Sequence, residues 1–482
     1  MMGMVRGSSE QGGSGASPAD RRDAFDALAR TGTATLADQD PVLHGLLARE
    51  HERQSDVLTL IASTSLTHPS VLACEATTAT NVTAEGYPGN RFHAGSEVFD
   101  EIEHLAVERA KEAFGARFAN VQPHSASIAN LTILLGFLRP GDALLGMHLD
   151  AGGHLSHGAR ASMSGQVFRA VGYGVTEDGV IDYDAVRSLA LEHRPRLIIC
   201  GTTSYPRLID FARFRAIADE VGALVLADIS HIAGLVVAGL HPSPIDHAHF
   251  TTTCTHKQLC GPRGGLILLG RDADTNHPDR AGTLGERVQR AVFPLVQGAP
   301  FPAQIAARAR VLSYIRGAEF TTTARLILDD ARALAAALGA RGYRVITGGT
   351  ETHLVVIDVT ARGLTGAIAE RALEECGIIV NRNRLPGDSR PARIGSGIRL
   401  GTNVVAGRGL GPREMDRCAE LIDRVLSAVT PGPDQAHQVN PETRESVRET
   451  VGELCRRFPI SWYPRAAGGI ARGTSAEAAP DP

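Results

Sequence analysis

Short apolar runs bounded by glycine and polar residues recur through the middle of the chain, at Ala143–Met147, Arg196–Gly201, Leu224–Ser230 and Gly265–Gly270. Their length and continuity predict buried strands. Between them apolar positions return at helical spacing: Ile217, Ala218 and Val221 within Phe211–Val221, and Ile102, Leu105, Ala106, Ala110 and Phe114 within Glu101–Phe114. A further helical run covers Ile128–Phe137. This alternation predicts a mostly parallel sheet with helices on both faces. Beyond Pro302 the pattern changes. A long connecting helix is expected around Ala303–Leu338, strands at Tyr343–Thr347 and Leu354–Val359, and helices near Gly366–Cys376 and Pro412–Val429. The fold class is therefore α/β, a large sheet domain followed by a smaller C-terminal α+β domain. The expected boundaries are a disordered Gly/Ser-rich leader at 1–20, an N-terminal arm at 21–60, the large domain at 61–320, the small domain at 321–465 and a disordered tail at 466–482.

Composition narrows the function classes. The 482 residues are 43% apolar, enough for large buried cores, and carry a net charge of -4, so no overall basic field exists to hold nucleic acid or an anionic membrane. No run approaches the roughly 18 apolar residues of a membrane span. Seven scattered cysteines without a Cys-x-x-Cys pair fit a reducing, cytoplasmic setting and no metal site.

One bias points to chemistry. Only two of the 49 basic residues are lysine, Lys111 and Lys257. Where arginine would serve, arginine stands; a surviving lysine is a candidate for what arginine cannot do, which is to lose its proton and act as a nucleophile. Lys111 lies on an amphipathic run and reads as a solvated helical position. Lys257 lies in a polar Thr-Thr-Thr-Cys-Thr-His-Lys stretch before a Gly-Pro-Arg-Gly-Gly turn, where no helical face explains it.

In open parallel sheets ligands collect at the carboxyl ends of the strands. Asp228 ends one apolar run, and a buried carboxylate is costly unless it meets a cation. An aspartate with a downstream lysine is what a pyridoxal phosphate site requires: the lysine forms the Schiff base and the aspartate keeps the pyridine nitrogen protonated. Ser125-Ala126-Ser127 before a helix suits a phosphate, although an ordinary N-cap uses the same residues. His154 in Gly152-Gly153-His154 offers a ring to stack on a cofactor or a structural imidazole. Arg399 in Ser396-Gly397-Ile398-Arg399 could clamp a carboxylate bidentately.

These residues stand within longer runs. Glu85-Gly86-Tyr87-Pro88-Gly89, Ala119-Asn120-Val121-Gln122-Pro123-His124-Ser125, Gly152-Gly153-His154-Leu155-Ser156-His157-Gly158, Asp228 with His231-Ile232-Ala233-Gly234-Leu235, Thr255-His256-Lys257 with Gly261-Pro262-Arg263-Gly264-Gly265, and Ser396-Gly397-Ile398-Arg399 follow in order. With them the sequence resembles serine hydroxymethyltransferase, a fold-type I pyridoxal phosphate family, from roughly Asp40 to Tyr463. The resemblance implies cofactor attachment on Lys257, Asp228 at the pyridine nitrogen, His154 on the ring and Thr203 near its phenolic oxygen. It implies phosphate and cofactor contacts from Ser125, Ala126, Ser127, His256 and Gly298, and catalytic parts for His231 and Thr255. Ser63, Arg263 and Arg399 would bind the substrate, and Glu85 would be the acid/base group, supplied across the interface of a homodimer or homotetramer. Leu149, Gly153, Leu155, Phe293 and Asn383 match folate-side positions, with tetrahydrofolate as the possible co-substrate. The implied reaction moves a hydroxymethyl group between serine or alpha-methylserine and tetrahydrofolate.

Several positions depart from that family. Thr83, Phe92 and His93 stand where it has tyrosines, and Thr64-Ser65 replace Glu-Asn. Ile128 replaces glutamine, Cys254 threonine, and Leu295 to Ala299 a glycine-rich loop. Arg384 follows Asn383 where a serine is usual. Lost polar groups at the folate side raise a second expectation, a folate-independent threonine transaldolase that passes the glycyl carbanion to another aldehyde. A silent interaction protein would have lost Lys257, Asp228 or Arg399, and all three are present.

Overall fold

The computed structural model describes residues 18–277 and 281–464. Positions 1–17 of the expected leader and the whole expected tail lie outside the described residues. Residues 18–20 belong instead to the helix Pro18–Gln39. By contacts the chain divides between Arg53 and Gln54, and everything below concerns the second unit.

Seven strands build the main sheet: β1 (Phe118–Asn120), β2 (Ala143–Met147), β3 (Arg169–Tyr173), β4 (Leu197–Gly201), β5 (Leu224–Asp228), β6 (Phe250–Cys254) and β7 (Gly265–Leu269). Their order is β1-β7-β6-β5-β4-β2-β3, with β7 antiparallel to both neighbours and the other pairings parallel. Successive residues feed opposite cores. Leu145, Ile198, Cys200, Val225 and Ala227 face one, Leu144, Leu197, Ile199 and Leu226 the other. That is why these strands are apolar throughout rather than alternating.

A second, antiparallel sheet contains β8 (Arg344–Val345), β9 (Leu354–Asp358), β10 (Asn381–Asn383) and β11 (Gly397–Gly401), in the order β8-β9-β11-β10. Leu58 and Leu60 join its core, and Leu58–Thr59 pairs with Ile378–Ile379. One helix serves both halves: in Ala318–Ala340, Phe320 and Ala324 pack in the sheet-domain core, Ala331, Leu334 and Leu338 in the smaller one.

The structure corrects several expected elements. β5 stops at Asp228, not Ser230, because the Asp228 carboxylate accepts the Ser230 amide at 3.0 Å and turns the chain. The stretch before Lys257 contains a fully buried strand, β6, in which the Thr252 hydroxyl donates to Asn130 at 2.5 Å and the Thr253 hydroxyl to the Cys254 carbonyl at 3.0 Å. The connecting helix is two helices, Pro302–Tyr314 and Ala318–Ala340, and the helix at Glu101 begins one turn earlier, at Glu97. The strand expected over Tyr343–Thr347 shrinks to Arg344–Val345, with Thr347 at φ 64° in the turn that follows. No disulfide joins cysteines among the described residues, and no helix there is long and apolar enough to cross a membrane.

Candidate active site

The parallel strands deliver their carboxyl ends to one level. Gly201, Asp228 and Thr252 are register partners across β4, β5 and β6. Asp228 is buried there, and both of its oxygens accept hydrogen bonds. One accepts from His157 Nε2 at 3.0 Å and Asn130 Nδ2 at 2.7 Å; the other accepts the Ser230 amide and hydroxyl at 3.0 and 2.5 Å. Burial alone would raise this carboxyl, but the hydrogen bond and charge of His157 hold it well below the usual carboxylate range. The floor of the site is thus a permanent anion.

Lys257 follows β6, and its Nζ lies 2.9 Å from His231 Nε2. Burial first, then the Lys257 and Arg399 charges, keep His231 well below its ordinary pKa, so it stays neutral beside the amine. His353 stacks on it at 5.8 Å and is anchored to the Ala62 carbonyl at 3.0 Å. The other lysine, Lys111, pairs with exposed Glu108 at 2.9 Å on its helix, a solvated position.

His154 sits in the turn after β2, its Nδ1 2.7 Å from the Ser156 hydroxyl. Burial lowers it to about 4, so the ring is neutral at pH 7. The two glycines before it are sterically required at Gly153, where a Cβ would meet the Met147 carbonyl oxygen at 2.1 Å. Thr203 closes the same turn, donating its hydroxyl to the Gly152 and Gly153 carbonyls at 3.1 Å each. Its own carbonyl accepts Arg399 Nη1 at 2.5 Å, while Arg399 Nε donates to Asn381 at 3.1 Å. Desolvation lowers the Arg399 guanidinium to about 10, and it has no carboxylate within 4 Å among the described residues.

Ser125 is the N-cap of the helix Ala126–Phe137, accepting the Ile128 amide at 3.2 Å, and Ser127 is exposed in its first turn. Gly265 lies against this cap, where a Cβ would come within 2.4 Å of the Ser125 carbonyl oxygen. Ser63 is half-buried one residue after Ala62.

Other expected residues lie differently. Thr255 spends its hydroxyl on the Pro262 carbonyl at 2.5 Å, bracing the turn after Lys257. Arg263 is exposed and reaches His256 Nε2 at 3.3 Å. Glu85 belongs to a separate rim, 3.7 Å from His93 and beside Gly298, where a Cβ would be 3.2 Å from its Oε1. Buried Arg91 fixes that hairpin through Asp100 at 2.8 Å and Glu103 at 2.7 Å. Phe92 packs on Phe293 at 5.4 Å yet is 71% exposed. Of the remaining folate-side residues, Leu149 and Leu155 are exposed and Asn383 donates to the Arg384 carbonyl at 2.5 Å.

Sequence reasoning gave no role to Asn130, His157, His353 or Asn381. Asn130 carried a signal, since an amide inside the apolar run Ile128–Phe137 must find buried partners. It finds Asp228, Ser156 and Thr252.

This donor set fits pyridoxal phosphate. A buried anion at the carboxyl end of the central strand suits a protonated ring nitrogen, an amine stands beside a neutral imidazole, a helix N-terminus suits the phosphate, and Arg399 lacks an anion among the described residues. Fold and site together define a fold-type I pyridoxal phosphate enzyme. Comparison with known proteins specifies which. The family model for serine hydroxymethyltransferase matches residues 36–422. A serine hydroxymethyltransferase of Synechococcus sp. is 46% identical over 448 residues, covering 90% of this chain and 98% of the relative. Serine hydroxymethyltransferase 2 of Rhodospirillum rubrum is 45% identical over 429 residues, covering 89% and 96%. The chain belongs to the serine hydroxymethyltransferase family, whose members are pyridoxal-phosphate-dependent transferases with tetrahydrofolate as co-substrate.

Proposed function

We propose that the protein transfers a hydroxymethyl group between serine and tetrahydrofolate, with glycine as the amino-acid product. The observation that carries this reading is Arg399, a cation without a carboxylate among the described residues, tied through the Thr203 carbonyl to the Gly152-Gly153-His154 turn beside the Asp228 floor. Pyridoxal phosphate, when bound, supplies an electron-accepting ring and the carbon to which an amine attaches.

The chain's residues do the rest. Asp228 holds a proton on the ring nitrogen, and His157 and Asn130 keep that carboxylate ionised and oriented. His154 would pack against the ring as a neutral imidazole. Ser125 and Ser127 at the helix N-terminus would receive the phosphate, and His256 and Gly298 would add cofactor contacts. Arg399 and Ser63 bind the amino-acid carboxylate. His231 orients the Lys257 amine, and Glu85 moves the proton of the substrate hydroxyl. Glu85 does so for a second copy of the chain: its own neighbours are His93 and Gly298, and the aromatic surface beside it is exposed.

The test is spectroscopic. Holoenzyme saturated with glycine is titrated with tetrahydrofolate while a long-wavelength absorbance band is followed. A band that grows and saturates is expected. No response with glycine still bound would overturn folate-dependent transfer and send the search to aldehyde acceptors, as for a threonine transaldolase. Comparing serine with alpha-methylserine as donors then assigns the substrate.

A further inference from the structure

Two loops on opposite sides of the folate-side cleft meet at one ion pair. Asp150 lies in the short turn Leu149–Ala151, directly before Gly152-Gly153-His154, and its Oδ1 contacts Arg384 Nη1. Arg384 follows Asn383 and β10, and its Nη2 donates to the Asp388 carbonyl. The Asp388 carboxylate in turn accepts the Ser396 amide at 2.8 Å, the Ser396 hydroxyl at 2.7 Å and the Arg390 amide at 2.9 Å. Ser396 immediately precedes β11, which carries Arg399.

We propose that Arg384 is a positioning residue that clamps the Leu149–Ala151 turn to the 383–388 loop. The clamp sets the spacing between Leu149 and Asn383 on the folate side and, through Asp388 and Ser396, joins that spacing to the strand bearing Arg399. Two observations give the pair more consequence than an ordinary surface contact. Its side chains are only 22% and 42% exposed, and the Arg384 guanidinium is held at two ends, by Asp150 and by the Asp388 carbonyl. Behind the turn lies a cavity of about 630 Å³ bordered by His148, Asp150, Arg344 and Gly387, which leaves the turn room to shift once released. A serine at position 384 is too short to reach Asp150. The clamp therefore belongs to this chain's own departure from the pattern it otherwise follows.

The consequence for folate rests on the proposed hydroxymethyl transfer, so the experiment separates the two. Holoenzyme, Arg384→Ser, Asp150→Ala and the charge-swapped double variant (Asp150→Arg with Arg384→Asp) are compared in KM for tetrahydrofolate, in kcat, and in hydrogen exchange of segment 148–153. Both single variants should raise that KM roughly threefold to tenfold with kcat within about twofold, and should speed exchange of the segment. The swap should restore both. Unchanged exchange in both single variants overturns the clamp. A raised KM that the swap does not restore also overturns it, because Arg384 would then act through its own charge on the folate. If the unaltered enzyme ignores tetrahydrofolate, hydroxymethyl transfer fails, and the exchange data alone decide the clamp.

Discussion

The floor and the rim of the site are built to different standards. On the floor, Asp228 has four donors, Lys257 has His231, and Thr203 ties the Gly152 turn to Arg399. On the rim, Glu85 has one ion-pair partner at 3.7 Å, and Phe92, Leu295 and Phe301 are 71%, 56% and 53% exposed. The floor is complete within one chain because its groups hang from neighbouring strands held in register. The rim hangs from a hairpin and a loop, and its apolar surface fits a cover from outside the chain.

The contrast can be broken most sharply at Lys257. Lys257→Ala should lower turnover by about 10³-fold or more. Borohydride reduction of the unaltered holoenzyme should place the pyridoxyl label on the Lys257 peptide; a label on Lys111 would move the floor elsewhere. On the rim, Glu85→Gln should lower kcat by about 10²-fold while leaving glycine affinity nearly unchanged. Equal losses in both would make Glu85 structural and erase the rim's catalytic part. Arg399→Ala should raise KM for serine by about 10- to 100-fold, the scale of a lost bond to a charged group of about 1.5–3 kcal/mol. Cofactor absorbance should persist, and an unchanged KM would remove Arg399 from the site.

The smallest effect tests why the floor needs its donors. Asp330 is also a buried carboxyl, but neither oxygen has a hydrogen-bond partner among the described residues. Burial, with Asp329 and Glu414 adding to it, pushes it up to about 8, the opposite of Asp228. Its folded-state pKa lies above the unfolded value, so its contribution to stability is fullest below about pH 4 and is lost as pH rises toward 8. Asp330→Asn should therefore stabilise the protein at pH 7, by about 2 kcal/mol, and do so less and less as the pH falls to 4. Thermal midpoints at the two pH values measure this. A pH-independent change would show that Asp330 is not the titrating group.

Much of the floor was legible in the chain. Lysine scarcity marked Lys257, a strand-end carboxylate marked Asp228, and Ser125 stood where a helix had to begin. Other parts were not. The threonine-rich segment before Lys257 reads as polar and is a buried strand, because its backbone pairs with strands on both sides and the Thr252 hydroxyl reaches Asn130, all distant in sequence. Thr255 and Arg263 stand in the expected run but face a carbonyl and the half-buried His256 imidazole.

The sequence by itself determined the layered α/β fold and the family, because burial of strand and helix faces is written in local periodicity and the family in its ordered motif runs. Only the tertiary structure decided which groups meet. His231 on His353, Asp228 on Asn130 and Asp150 on Arg384 join positions about a hundred or more apart, and their meeting depends on strand register and loop path, which no local pattern encodes.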